Sequence, residues 1–422
     1  MGGQENTQLS NAKPVFFYGY VIVFATFFIM LIIAGTYYTF GVFLKPLSAE
    51  FGWSRAATSG AFTLSQFLMG FFSIIAGRLC DRFGSRIVAT ICGAILGLGL
   101  LLMSQTGALW QLYLFYGVLV AIGLAGCWGP LLATVARWFV RRRGLMSSIV
   151  ISGMGFGTII VPPIAVRLIS SYGWRNAYII IGIITLVLLV LPAQFLKHDP
   201  RQKGLSPYGN NVAERSSSAS EAKGFSLSEA IQTGQFWLAC AIYFCYGIFL
   251  VTTIVHIAPH ATELGISPIN AANIIAIIGG LSIIGRVAIG YASDRIGVKF
   301  SLALAFILVS IALLWLHIAK GLWMLYLFAA VFGFGYGGTI TVQSPLLAEL
   351  FGLRSHATIL GVVICFATVS GAVGSLMGGV VFDVTGSYSL AFWICATVTI
   401  TGFILTLFLR PVQDKQRHHS TP

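Results

Sequence analysis

The chain has 422 residues, of which 57% are hydrophobic and 9% charged, and its formal net charge is +13. A soluble globular domain carries about 25% charged residues, so most of the surface of this protein is not expected to face water. The positive charge lies in short segments between apolar stretches, which indicates membrane topology and contact with anionic lipid rather than nucleic-acid binding.

Twelve apolar stretches follow one another along the chain, and each is long enough to cross about 30 Å of hydrocarbon as a helix. The predicted spans are 18–44, 55–80, 86–105, 110–138, 142–170, 174–196, 234–262, 269–293, 298–318, 321–350, 355–383 and 388–410. The stretches are continuously apolar and do not alternate, which excludes a strand barrel. The sequence therefore predicts an all-α membrane protein.

A polar, Ser-rich segment divides these helices into two groups of six. It predicts a bundle over residues 1–196, a linker over 197–233 and a second bundle over 234–422. Most of the 25 Lys and Arg residues fall on one side when the N-terminus is placed inside. The positive-inside rule then predicts that both termini and the linker lie in the cytoplasm. The short linker and tails favour a multi-pass protein of the inner (plasma) membrane.

The two groups repeat each other in sequence. Residues 110–115 read WQLYLF and 323–328 read WMLYLF, while 77–84 read GRLCDRFG and 290–297 read GYASDRIG, both at an offset of 213. An even number of helices in each repeat gives both the same orientation. Such repeats are related by an axis along the membrane normal.

The loop motif over 77–86, GRLCDRFGSR, resembles the signature between helices 2 and 3 of the major facilitator superfamily, and it is echoed at 290–297. The resemblance covers essentially the whole chain and implies two six-helix bundles that carry a solute by alternating access. It also implies that the motif residues control the gate between the bundles. These residues are Gly77, Asp81, Arg82, Gly84, Asp294 and Arg295.

Within the superfamily, the chain resembles the monocarboxylate transporters and the related oxalate:formate antiporters. The similarity lies in WFVRRRG at 138–144, GMGFG at 153–157 and YGY at 18–20. The resemblance implies secondary active transport of small monocarboxylates such as lactate or pyruvate, coupled to protons and requiring no cofactor.

Arg286 is the one cation deep inside a predicted span, eight residues or about 12 Å of helix rise before Asp294. Its counterpart in the first repeat is Ser73, so the fold does not require a charge there. An intramembrane cation costs at least ~2.5–3.5 kcal/mol, and a guanidinium matches a carboxylate with paired donors. The resemblance places a substrate-binding Arg at this position; snorkelling or internal pairing is the alternative.

The other candidate binding residues are less distinctive. Tyr336 lies among glycines in the middle of the tenth helix, where its hydroxyl would join Arg286 in holding a carboxylate. Packing against the glycines is an equal alternative for Tyr336, and packing is the more common role for residues such as the remaining candidates. Those are Tyr38 and Leu31 in helix 1, Tyr116 in helix 4, and Cys365 and Phe366 in helix 11.

The group that carries the proton is not obvious, because no Asp or Glu lies at mid-membrane depth. The coupling lysine and acid of the animal monocarboxylate transporters align with Tyr38 and Ser282. His256, near the outer end of helix 7, titrates in the right range and is a candidate. Alternatively, the substrate carboxylate takes up the proton while bound to Arg286.

One deep cation favours a monoanion over a dicarboxylate. The main alternative is an organic-anion exchanger of the oxalate:formate type, and drug efflux and a membrane sensor are less favoured. No nucleophile–base pair or metal-ligand cluster is visible, so the sequence does not indicate an enzyme.

Overall fold

The computed structural model describes residues 17–209 and 224–411, and helices dominate both segments. Twelve helices of the described residues are long and apolar enough to cross a membrane, when Arg143–Ala193 is divided at Gly173. There the backbone leaves the helical region, with φ 78° and ψ 162°. The prediction of an all-α protein with twelve membrane helices is confirmed.

The helices are numbered in chain order. They are α1 Gly19–Phe51, α2 Arg55–Phe83, α3 Ser85–Met103, α4 Leu109–Trp138, α5 143–172, α6 174–193, α7 Gly234–Glu263, α8 Pro268–Ile296, α9 Val298–Leu316, α10 Leu322–Phe351, α11 His356–Thr385 and α12 Ser389–Leu407. A turn at Val342 separates two segments of α10, and π-helical turns run over Tyr113–Val120 in α4.

The first helix is longer than predicted. It continues past residue 44 to Phe51 and ends where Gly52 adopts a left-handed conformation with φ 67°. Its last turn is polar, and Glu50 there accepts hydrogen bonds from Trp174 and Arg175 at the start of α6. Hydrophobicity marks the part of a helix that lies in lipid, whereas these polar contacts extend α1 beyond it.

The most extensive contacts between the first six helices and the last six are made by α2 with α11 and by α5 with α8. Close approach depends on residues without a Cβ, since a methyl group on Gly77 would overlap the carbonyl oxygen of Ala357. In the other pair, a Cβ on Gly290 would lie 2.7 Å from the Ser148 hydroxyl oxygen.

The described parts of the predicted linker lie on one face of the molecule, which we call the linker face. A 3₁₀ turn, Pro200–Lys203, follows α6, and a short helix, Leu227–Ile231, precedes α7. The Ser-rich part of the linker lies outside the described residues.

Candidate functional site

Arg286 is buried in α8 with 4% of its surface exposed. One terminal nitrogen, Nη1, donates to the Ile151 carbonyl of α5 at 2.9 Å, and Nη2 donates to the Tyr336 hydroxyl of α10 at 3.3 Å. The Nε atom is buried without a hydrogen-bond partner. None of the ion pairs formed within the described residues involves this guanidinium. The Arg286 guanidinium therefore carries a permanent positive charge among neutral hydrogen-bond partners and keeps N–H groups that have no partner.

The counterpart of Arg286 in the first repeat makes an equivalent contact. The Ser73 hydroxyl oxygen in α2 lies 2.7 Å from the Gly361 carbonyl oxygen of α11 and 2.6 Å from the Gly70 carbonyl oxygen of its own helix, so its one proton is shared between them. Both residues thus donate to a backbone carbonyl of the opposite six-helix group. A hydroxyl has one proton to give, whereas Arg286 keeps further donors after its contact is made.

Three tyrosines lie near the guanidinium. The ring of Tyr336 lies 5.9 Å from its central carbon, and Tyr38 of α1 and Tyr246 of α7 are close enough to interact with it electrostatically. Tyr38 is 49% exposed, so open space adjoins this group. We refer to Arg286, Tyr336, Tyr38 and Tyr246 as the Arg286 group.

Sequence reasoning missed Tyr246. The residue is 6% exposed and lies on α7, the repeat counterpart of α1. Its counterpart in the first repeat, 213 residues earlier, is the apolar Ile33, so comparing the two repeats does not point to a polar position there. Its position on a helix that lines the cavity in the superfamily was the available signal.

Two predicted candidates make packing contacts within the first six helices, and their part in binding stays a prediction. Tyr116 is buried inside that group, where its hydroxyl donates to the Tyr37 carbonyl at 3.2 Å and its ring lies 4.2 Å from that of Phe40. Leu31 is half-buried, and its carbonyl oxygen packs against Gly157 of α5. Both contacts stabilise packing within the first six helices.

The candidates on α11 face different neighbours. Cys365 is buried at the α2–α11 contact, where its sulfur would lie 3.5 Å from a Cβ placed on Gly70. The ring of Phe366 lies edge-on to Trp237, 6.2 Å away, on the half-exposed start of α7. Neither is brought to the Arg286 group by these contacts.

His256 packs against the far end of α11. Its Nε2 atom lies 3.0 Å from the Ser375 carbonyl oxygen, and its ring lies 5.1 Å from Tyr388. A carbonyl only accepts, so Nε2 carries a proton in this contact. These neighbours do not belong to the Arg286 group, and its role in proton coupling stays a prediction.

Asp81 ties α2 to the start of α11 at the linker face. Its carboxylate accepts hydrogen bonds from the Thr358 amide at 2.9 Å, the Thr358 hydroxyl at 2.7 Å and the Ala357 amide at 3.3 Å. It also forms an ion pair with Arg137 of α4 at 3.1 Å. The first amides of a helix lack internal partners and carry partial positive charge, so a carboxylate is stabilised there.

Asp294 makes the corresponding contact in the second repeat. It accepts hydrogen bonds from the Gly144 and Leu145 amides at 2.8 and 2.9 Å, at the start of α5. Each Asp therefore caps a helix of the opposite six-helix group, and we call these contacts the two latches. Together they hold the linker face closed.

The motif arginines do not take part in the latches. Arg82 and Arg295 are exposed, and their guanidinium groups lie 5.1 Å from the Phe83 ring and 4.6 Å from the Tyr291 ring. The motif glycine Gly84 forms the turn from α2 to α3 with φ 87°, as Gly297 does in the second repeat with φ 89°.

Comparison with known proteins agrees with this architecture. The family model described as Major Facilitator Superfamily matches residues 26–306 and 238–422. The chain belongs to the major facilitator superfamily. It is a multi-pass membrane transporter and not an enzyme, as the sequence predicted.

Several curated members of the superfamily are similar along most of their length. Monocarboxylate transporter 13 of Rattus norvegicus is 26% identical over 400 residues, covering 91% of this chain and 87% of the relative. Monocarboxylate transporter 12 of Homo sapiens is 25% identical over 434 residues, covering 98% and 84%. The uncharacterized MFS-type transporter YhjX of Escherichia coli (strain K12) is 29% identical over 334 residues, covering 78% and 80%.

Solved transporters share the fold. The proton:xylose symporter XylE superimposes with a TM-score of 0.77 at 15% identity, covering 93% of this chain and 96% of that one. FucP in the outward conformation gives a TM-score of 0.71 at 17% identity, with 93% and 99% covered.

Proposed function

We propose that this transporter is a proton-coupled symporter of small monocarboxylates such as lactate or pyruvate. Its two bundles, 1–196 and 234–422, would rock about the site between them while the linker, 197–233, and both termini lie in the cytoplasm. The observation that carries the proposal is Arg286, a buried cation that has no acidic partner among the described residues and keeps unused donors.

The unused donors suit one carboxylate. Nε and Nη2 form one edge of the guanidinium, and such an edge can bind a carboxylate through two parallel hydrogen bonds. Nε has no partner, and Nη2 carries two protons and makes one hydrogen bond. The Tyr336 oxygen accepts from Arg286, so its own proton remains available to the same ligand. Because the group contains one cation, a monoanion neutralises it and a dianion would leave a buried negative charge.

The rest of the site is adapted to a small, mostly apolar acid. Tyr38 and Tyr246 lie within electrostatic range of the guanidinium and contribute aromatic surface near it. The relatives named monocarboxylate transporters, at 25–26% identity over most of the chain, support the same substrate class.

The proton would travel on the substrate. Ser282, at the position of the family's coupling acid, is buried and donates to the Gly279 carbonyl at 2.7 Å, so no carboxylate stands beside Arg286 there. Protonation of the bound carboxylate removes its charge and weakens its hold on Arg286, which allows release. His256 is the alternative carrier within the protein.

The same lack of an acid favours a second candidate, an organic-anion exchanger of the oxalate:formate type. An exchanger returns with a second anion on Arg286 and needs no proton. Counterflow of labelled anion at equal pH on both sides, without proton movement, would identify it.

Uptake of labelled carboxylates into proteoliposomes, with and without a pH gradient, tests the proposal. Arg286→Lys keeps the charge but loses the paired donors, and we expect uptake to fall at least ~100-fold, the effect of losing about two charge-assisted hydrogen bonds. Arg286→Ala should abolish it. Arg167→Lys is the matched control, since Arg167 is exposed on α5 and lies outside the gating motif, and it should transport normally. Unchanged uptake by both Arg286 variants would refute the assignment.

A further inference from the structure

The first end of the linker is bonded to the loop between α4 and α5. The Tyr208 amide donates to the Trp138 carbonyl at 2.9 Å, and the Tyr208 carbonyl accepts from the Val140 and Arg141 amides at 3.2 and 3.1 Å. Gly209 follows with φ 86°, and a Cβ there would overlap the side chain of Arg141. The linker backbone therefore lies directly against this loop.

The second end is bonded to the corresponding loop between α10 and α11. The Phe225 amide donates to the Phe351 carbonyl at 2.8 Å. A Cβ on Gly224 would lie 2.7 Å from the Arg354 amide nitrogen and 2.9 Å from that of Leu353. These are backbone atoms that cannot rotate away, so only glycine fits at this position without displacing the loop.

Both loops lead directly into a latch. Three residues after Arg141, the amides of Gly144 and Leu145 hold Asp294. Three residues after Arg354, the amide of Ala357 holds Asp81, followed by that of Thr358. The linker thus contacts the two loops whose conformation orients the latch amides toward Asp294 and Asp81.

The loop before α5 is also strained. Arg142 has φ 66°, the one left-handed non-glycine residue in the described ranges. Such a conformation persists only when its surroundings fix it. The residues on both sides of Arg142 are held in place. The Arg141 amide donates to the Tyr208 carbonyl, and the Arg143 side chain donates to the Ala136 and Phe139 carbonyls, both at 3.0 Å.

We propose that the linker ends, residues 205–209 and 224–229, are positioning elements for the two latches. By holding the loops before α5 and α11 in the conformation that presents their first amides, they favour the state with the linker face closed. The linker then sets the balance between the two states of the transport cycle in addition to connecting the bundles. This role is independent of which solute binds at Arg286.

Hydrogen exchange of the latch amides, measured by mass spectrometry on the full-length protein in nanodiscs, tests the proposal. Gly224→Ala is the first variant, and Gly234→Ala, where a Cβ meets nothing within 4 Å, is its control. Since both latches close the same face, we expect Gly224→Ala to speed exchange about tenfold in the peptides over 142–148 and 355–361 together. The control should match the unmodified protein.

A second pair of variants repeats the test from the other end. Gly209→Ala should speed exchange over both peptides. Gly204→Ala is its control, because Gly204 also has a positive φ, 67°, but a Cβ there would meet no atom within 4 Å, and the latches should stay protected. Glu229→Gln removes the 3.6 Å ion pair with Arg354 and keeps an oxygen that can accept from the Ser226 amide, so it should give a milder change of the same sign. Faster exchange confined to the touched loop, with both latches unchanged, would overturn the proposal.

Discussion

The two latches differ in the number of hydrogen bonds that their aspartates accept, so replacing each aspartate by Asn should destabilise the closed state by different amounts. Asp81 accepts three hydrogen bonds from α11, whereas its ion pair with Arg137 lies within the first six helices and persists in either state. Asn at this position keeps one acceptor oxygen and loses the charge. With hydrogen bonds to charged groups worth about 1.5–3 kcal/mol each, the closed state should lose about 3 kcal/mol, or roughly 100-fold in population.

The corresponding change at Asp294 should be smaller. That carboxylate accepts two hydrogen bonds, from Gly144 and Leu145, and forms no ion pair with the described residues. Asn retains one of the two, so the loss is about 1.5 kcal/mol, or roughly tenfold. Asp81→Asn should therefore open the linker face further than Asp294→Asn.

The distance between the two six-helix groups at the linker face measures this opening. The chain contains native cysteines, which a thiol-reactive label would also modify. The spin labels are therefore introduced as genetically encoded residues that replace Phe83 on α2 and Glu349 on α10, both of which are exposed. Electron–electron resonance should show a longer-distance population that is larger for Asp81→Asn. The exposed Asp383 at the other end of α11 offers the matched control, Asp383→Asn. Equal opening by both latch variants would refute the reasoning.

Three further outcomes are expected. Gly77→Ala should reduce uptake strongly, because its methyl group meets the fixed Ala357 carbonyl and keeps α2 from closing on α11; normal uptake would contradict this contact. Ser73→Ala removes the hydroxyl whose proton is shared between the Gly361 and Gly70 carbonyls and should cost about 1 kcal/mol in unfolding assays, with uptake changed less than tenfold. Burial, reinforced by a nearby guanidinium, lowers the pKa of His198 from 6.5 to about 4. The unfolded chain then binds this proton first, so stability is full above pH 6.5 and falls by up to about 3 kcal/mol toward pH 4. The free energy of unfolding of His198→Gln should lack this dependence on pH. If it varies with pH as that of the unmodified protein does, His198 is not the source of the dependence.

Much of the fold follows from local properties of the sequence. Apolar stretches of sufficient length define membrane helices because lipid offers no hydrogen-bond partners to the backbone. The break at Gly173 fell between two predicted spans, whereas the polar end of α1 up to Phe51 was missed because its contacts with α6 lie more than a hundred residues away.

The candidate site was only partly predictable. Arg286 and Tyr336 were identified from their depth and type, and the structure joins them through a hydrogen bond. Tyr246 escaped notice, because a tyrosine in an apolar helix carries no local sign of the group it faces. Tyr116 is predicted on the same kind of signal; the structure shows it buried with its hydroxyl donating to the Tyr37 carbonyl, and its part in binding stays a prediction.

The sequence by itself determined that this protein crosses the membrane twelve times, that it is duplicated, and that one repeat carries a deep cation where the other carries Ser73. Those properties depend on hydrophobicity, spacing and residue type, which are local. Only the tertiary structure decided which atoms Arg286 bonds, how Asp81 and Asp294 cap helices of the opposite group, and where the linker ends dock. These contacts join residues up to 277 positions apart, and their geometry depends on helix packing that no local pattern encodes.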